Sequence, residues 1–270
     1  MAQVKRKLDF RIEDRTYYHH RPNGCTAVLI EHEAWPGNEF GLWLPENALS
    51  WNNWSGARSH QEWEILSKDE ATWTYSEKDA RLVSRLRLDQ ANACLWYSHL
   101  FANASKEDLR NVTAQTCFHL VNAPEFISIH GERIWACLDD RWRTTDGVPR
   151  AESLDPNRVR FLRNGTRRER TVVHNTGFPF STMPEAACHP LIIAESFDGR
   201  KSVGIACRDM SWLFNNNDYI LRCIHSEPTP IGRIPPGETA VQEGVIIFCE
   251  GDHAALLERY DRIAPTTWWK

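Results

Sequence analysis

The chain has 270 residues, 41% of them hydrophobic and 25% charged, and a formal net charge of −4. That composition excludes a disordered chain, a collagen-like repeat and a disulfide-stapled mini-protein, and the length suits a single large domain, residues 1–270. The mild acidity argues against a nucleic-acid partner, and no run approaches the roughly 18 apolar residues of a membrane span, so no membrane partner is expected.

In chain order, the N-terminus carries Lys5, Arg6 and Lys7 with no apolar run behind them. No signal peptide is expected, and the expected location is cytoplasmic. From residue 71 the dominant period is two, the side-chain repeat of a strand. Strands are predicted over 71–77, 81–88, 93–101, 112–121, 126–130, 134–138, 158–162, 170–174, 190–196, 202–207, 219–225 and 240–249. Turn signals separate them, among them Asn164-Gly165, Asp198-Gly199 and Pro235-Pro236-Gly237. A helix is predicted over 252–262, with Asp252 as its cap. Many short strands and one terminal helix predict an all-β antiparallel sandwich.

Eight cysteines stand at 25, 94, 117, 137, 188, 207, 223 and 249. None is paired at Cys-x-x-Cys spacing and most lie in apolar segments, so free buried thiols are expected. Six arginines between Arg158 and Arg170 surround the Asn-Gly turn. They read as a solvated hairpin or as a clamp for an anionic ligand. The chain also holds 12 Trp beside 11 Phe and 6 Tyr. A flat ring with one polar edge is useful where a ligand needs stacking and a hydrogen bond together. Trp73, Trp96 and Trp135 fall on predicted strands and are assigned mainly to the core. Trp51, Trp54, Trp63, Trp142 and Trp212 fall in or beside polar segments, within reach of a ligand.

Two segments resemble the galactose mutarotase-like (aldose 1-epimerase) superfamily. The first runs from Asn111 to Leu120, Asn-Val-Thr-Ala-Gln-Thr-Cys-Phe-His-Leu. The second is Cys223-Ile224-His225-Ser226-Glu227-Pro228, followed by Ile234-Pro235-Pro236-Gly237-Glu238-Thr239. The resemblance implies a super-sandwich with a sugar-sized site on one face. It also exposes two departures. Gln115 stands where the family has its proton-donating His, and His225 where the family has its proton-accepting Glu, with Glu227 two positions on. Glutamine does not titrate, so the mutarotase acid–base pair is not in place.

Strand alternation puts Gln115, Cys117 and His119 on one face, and Cys223, His225 and Glu227 on one face. His119, His225 and Glu227 are therefore the catalytic candidates, two imidazoles and a carboxylate suited to proton transfer near neutral pH. The same three are the candidate ligands if a divalent metal is bound; no cofactor is otherwise predicted. Candidate binding residues are Gln115, Trp54, His60, Trp96, His99, Arg133, Arg208 and Trp212, the last entering an Asn215-Asn216-Asn217 loop. His19, His20 and His253 read as surface residues. The leading function is a carbohydrate-active enzyme moving a proton on a sugar or uronic acid, as an epimerase, lyase or glycoside-cleaving enzyme. The alternative is a non-catalytic carbohydrate-binding or regulatory sandwich. The expected partner is a sugar or oligosaccharide, and a homodimer is compatible with the chain.

Overall fold

Alternating polar and apolar side chains organise most of the chain into strands. The computed structural model describes residues 7–15, 25–49, 61–77, 80–146, 158–163, 181–217 and 222–264. The strands are β1 (Leu8–Arg15), β2 (Cys25–His32), β3 (Glu39–Leu49), β4 (Trp63–Ser67), β5 (Glu70–Glu77), β6 (Ala80–Asp89), β7 (Cys94–Asn103), β8 (Leu109–Asn122) and β9 (Ile134–Leu138). They continue with β10 (Arg141–Thr144), β11 (Arg158–Leu162), β12 (Ser181–Thr182), β13 (Ala187–Glu195), β14 (Lys201–Cys207), β15 (Met210–Asn216), β16 (Cys223–Pro228), β17 (Ile231–Ile234) and β18 (Thr239–Glu250). The helix α1 (His253–Ile263) closes the described chain.

These strands form two nine-stranded sheets. The first has the order β1-β2-β3-β8-β16-β15-β11-β12, with β17 also paired to β8; the second has the order β10-β9-β13-β14-β18-β7-β6-β5-β4. Every strand pair is antiparallel except β11 with β12. The expected all-β antiparallel sandwich is the fold observed.

The largest core cluster joins the sheets. Phe40, Leu42, Phe118, Leu213 and Ile224 come from the first, and Leu86, Tyr97, Ile205, Ile246 and Phe248 from the second. Phe40 stacks on Phe118 at 5.8 Å and meets Phe248 edge-on at 5.2 Å, so one aromatic knot spans the layers. Burying rings of this size contributes about 1.5–3 kcal/mol each.

Helix α1 covers the outer face of the second sheet. Its buried Leu256, Tyr260 and Ile263 pack on Trp96, Leu191, Ile193, Val245 and Ile247. A Cβ at Gly204 would stand 2.9 Å from Leu191 Cδ1 and 3.1 Å from Leu256 Cδ2, so the bare backbone there admits the helix. Asp252 caps the helix as predicted, accepting from the Ala255 N–H at 3.0 Å. Over β7, β13, β14 and β18 the second sheet is thus buried on both faces. The corresponding outer face of the first sheet carries a separate cluster: Ala27, Leu29, Trp43, Cys117, Leu162, Trp212, Phe214 and Cys223.

Several expectations are corrected. The segment 126–130 is not a strand; Pro124–Phe126 forms a 3-10 turn, in which proline's fixed φ and missing N–H suit the first position. Trp212, Asn215 and Asn216 lie on strand β15 rather than in a loop. Asn215 enters the sheet with its amide N–H groups engaged internally: Nδ2 reaches Thr145 Oγ1 and Asn217 Oδ1, both at 3.3 Å. Cys137 and Cys188 are not free thiols but a disulfide joining β9 to β13, while Cys94, Cys117, Cys207, Cys223 and Cys249 are free and buried. His253 is not a bare surface group: it stacks on Trp135 at 3.6 Å and hydrogen-bonds Glu195 at 3.0 Å. The predicted strand at 170–174, the Asn164-Gly165 turn, His19, His20, Trp51 and the pair Trp268-Trp269 lie outside the described residues. No helix among the described residues is long and apolar enough to cross a membrane.

Candidate functional site

Strand β8 runs through the middle of the first sheet, between β3 and β16. Its alternate residues part company. Thr116 and Phe118 face the second sheet, where Thr116 meets His99 and Phe118 joins the core. Gln115, Cys117 and His119 face the other way, toward the outer cluster of Trp43, Trp212 and Phe214. On β16 the same alternation sends Ile224 to the core and Cys223, His225 and Glu227 to the outer face.

The predicted residues converge there. His225 Nδ1 lies 3.0 Å from Glu227 Oε1, and Gln115 Nε2 lies 3.3 Å from the same ring nitrogen. Gln115 also hydrogen-bonds the Glu227 carboxyl. Asn47 on β3 completes the chain by donating its amide N–H to Gln115 Oε1 at 3.2 Å. Asn47 reaches this position because the β3–β8 register shifts between Trp43, opposite Cys117, and Asn47, opposite Gln115. The bulged residues bring Glu46 to the site, within 4.8 Å of ligand atoms of Cys117 and His225.

The site is dry. Gln115, His119, His225 and Glu227 are each 3% exposed or less. Burial pushes His119 down to about 3, so its ring is neutral near pH 7. Burial, reinforced by the neighbouring charge of Glu46, raises the Glu227 carboxyl well above its ordinary range, and the Gln115 hydrogen bond opposes that rise. The Cys117 thiol is likewise held protonated, first by burial and then by its contact with Cys223. Aromatic rings fix both imidazoles: Trp43 meets His119 edge-on at 4.1 Å, and Phe214 lies 4.9 Å from His225.

Of the other candidates, Trp212 belongs to this face, and Arg160 of β11 rests over its ring at 5.4 Å. Arg160 is buried and bonded to Thr182, so this part of the basic cluster is packed rather than a solvated hairpin. His99 lies between the sheets, sharing its ring nitrogens with Ser84 and Thr116. Trp96 lies under helix α1. Arg133 is tied to Glu132 and the Ile127 carbonyl, and Arg208 to Glu243. Trp63 donates to Gln61 at 3.1 Å and lines a separate cleft of about 830 Å³ beside β1. Trp54 and His60 lie outside the described residues.

Sequence reasoning missed Trp43, Glu46, Asn47 and Phe214, which carry no local motif. It also passed over Cys117 and Cys223. A signal was present there: the pattern Cys-x-His occurs at 117–119 and again at 223–225.

The chain is similar in structure to several solved proteins at low sequence identity. A candidate aldose 1-epimerase from Escherichia coli K12 aligns over 90% of this chain and 99% of its own, with 9% identity and a TM-score of 0.44. A candidate aldose 1-epimerase from Klebsiella pneumoniae aligns over 97% and 88%, with 12% identity and a TM-score of 0.47. A galactose mutarotase-like protein from Lactobacillus casei aligns over 89% and 100%, with 9% identity and a TM-score of 0.47. No protein-family model and no curated protein matches the sequence.

Proposed function

We propose that the protein is a carbohydrate-active enzyme that moves a proton on a sugar or uronic acid. The observation that carries this reading is the His225–Glu227 pair, joined at 3.0 Å and held by Gln115 on the aromatic face of the first sheet. In this reading the proton is shared between Glu227 and the Nδ1 of His225, and the carboxyl delivers or removes it. Gln115 holds the carboxyl by hydrogen bonding rather than acting as an acid, since an amide does not titrate. His119 supplies a neutral ring lone pair on the same face. Trp43, Trp212 and Phe214, each 4% exposed or less, wall the pair on the same face.

The test is a time course of NMR spectra with aldoses, uronic acids and their glycosides. Wild-type protein is expected to produce new signals or accelerated anomeric exchange with one of them. Glu227→Gln, verified as folded by circular dichroism, is expected to lose at least about a hundredfold in turnover, the low end for a general acid–base group. Wild-type turnover in that variant refutes the assignment. The replacement of a titrating group by Gln115 favours a second reading, a non-catalytic carbohydrate-binding protein. Saturable sugar-induced shifts with no new species decide for it.

A further inference from the structure

Two tripeptides on neighbouring strands carry one pattern. Cys117-Phe118-His119 lies on β8 and Cys223-Ile224-His225 on β16. Each sends its middle residue into the core between the sheets and its outer two to the site face. The ladder sets Cys223 opposite His119 and Ile224 opposite Phe118. The same antiparallel register, carried one step further, sets His225 opposite Cys117. Sulfur and nitrogen therefore alternate around a square: each cysteine has one histidine along its own strand and another across.

The separations suit one ion. Cys117 Sγ lies 3.3 Å from His119 Nε2, and Cys223 Sγ lies 3.1 Å from His225 Nε2. Ligand atoms of Cys117, His119 and Cys223 all fall within 4.8 Å of one another, and those of Cys117 and His225 do so too. Around a tetrahedral zinc with Zn–S of about 2.3 Å and Zn–N of about 2.05 Å, sulfur and nitrogen sit about 3.5 Å apart. Both observed separations are close to that value and need only a small outward adjustment. The donors are soft or borderline, which selects zinc-class ions over magnesium or calcium.

The surroundings are those a metal-bound imidazole uses. His225 turns Nε2 toward the sulfurs and Nδ1 toward Glu227, whose carboxyl is held by Gln115 and, through it, by Asn47. A carboxylate on the outer ring nitrogen fixes the tautomer and orientation of a ligating histidine. Trp43 and Phe214 pack on the two rings. Glu46 approaches the same side, near Cys117 and His225, while β8 and β16 by themselves offer the four donors that a tetrahedral ion takes.

We propose that Cys117, His119, Cys223 and His225 form a closed Cys2His2 site for a divalent cation of zinc's class, with Glu227 holding the outer nitrogen of His225. The site stands on ligand geometry and does not depend on the sugar reading. The two are compatible at His225, where the ion takes Nε2 and leaves Nδ1 to Glu227, whereas a loaded site also takes the lone pair of His119.

The experiment titrates chelator-treated wild-type protein with cobalt(II). The expected result is about one tetrahedral cobalt per chain, with a thiolate charge-transfer band and intense visible bands that zinc abolishes by displacement. Cys117→Ser with Cys223→Ser is expected to lose the thiolate band entirely. Cys94→Ser, which alters a thiol on the second sheet, is expected to keep it. Glu227→Gln is expected to keep the spectrum and weaken binding about 10–100-fold. A readout on the unaltered chain covers the case in which the double variant fails to fold: X-ray absorption of zinc-loaded wild-type protein is expected to show two sulfur ligands at about 2.3 Å and two nitrogen ligands at about 2.05 Å. Octahedral cobalt without a thiolate band, a band that survives the double variant, zinc bound without sulfur ligands, or a Cys117–Cys223 disulfide in the purified chain would each overturn the proposal. None of these measurements needs a sugar, so this proposal and the sugar reading fail separately.

Discussion

Acid should destabilise the protein through His99 in a way one substitution can expose. The ring lies between the sheets, with Nδ1 3.0 Å from Ser84 Oγ and Nε2 3.0 Å from Thr116 Oγ1. Burial pushes it from 6.5 down to about 3, so the folded protein keeps it neutral. The unfolded chain titrates near 6.5. Below that pH the unfolded state binds a proton that the folded state refuses, so the contribution to stability is lost progressively from about pH 6.5 toward pH 3. The slope is about 1.4 kcal/mol per pH unit, which gives an upper limit of about 2.7 kcal/mol at pH 4.5. That is a large share of the roughly 5–15 kcal/mol that holds a typical domain folded. His119 titrates in the same direction, so pH alone does not isolate His99. His99→Gln does: its amide can bridge the two hydroxyls but takes up no proton. The variant should lose about 1–3 kcal/mol at pH 7 through poorer hydrogen-bond geometry. At pH 4.5 its deficit relative to wild type should shrink by about 2 kcal/mol or reverse. Urea unfolding followed by tryptophan fluorescence at the two pH values measures both quantities. Parallel pH dependence in the two proteins would refute the reasoning.

Two further substitutions probe the second sheet. Gly244 lies opposite Tyr97 in the β18–β7 ladder, and a Cβ there would stand 2.1 Å from the Tyr97 ring. Gly244→Ala should cost about 1–3 kcal/mol, seen as a lowered thermal midpoint, because the ring must leave a close-packed site. Asp252→Ala removes the N-cap of α1 and should cost about 1 kcal/mol, measured by denaturant unfolding; a change below a few tenths would mean that tertiary packing alone sets the helix start.

The sandwich was legible in the sequence because its information is local. Arg81–Leu88 and Thr239–Glu250 announce strands by alternation and by apolar runs, and the turn at Asp198-Gly199 is written in its residue types, with Gly199 at φ +67°. β1 is legible too, since Leu8, Phe10 and Ile12 alternate with Asp9, Arg11 and Glu13. Strand β15 was hidden for a physical reason. Asparagine favours turns when its side chain competes with the backbone for hydrogen bonds, and Asn215 instead spends its amide on Thr145 and Asn217. The gathering of Gln115, His225 and Glu227 on one face follows the period-two alternation of β8 and β16. The arrival of Asn47 and Glu46 depends on a register shift in β3, which no local pattern specifies. The Cys137–Cys188 pairing was equally non-local: the two residues are 51 positions apart, and only the β9–β13 pairing brings them together.

The strict parity of β8 and β16 has a consequence for how this protein can change. Odd-numbered positions from 115 to 119 and from 223 to 227 carry the polar and sulfur chemistry, while even-numbered Phe118 and Ile224 lock the sheets together. The two sets of instructions are interleaved along the same few residues yet are read by opposite sides of the sheet. Replacing one set leaves the other legible. The first sheet can therefore act as a chassis whose reactive inventory is exchanged without redesigning the frame.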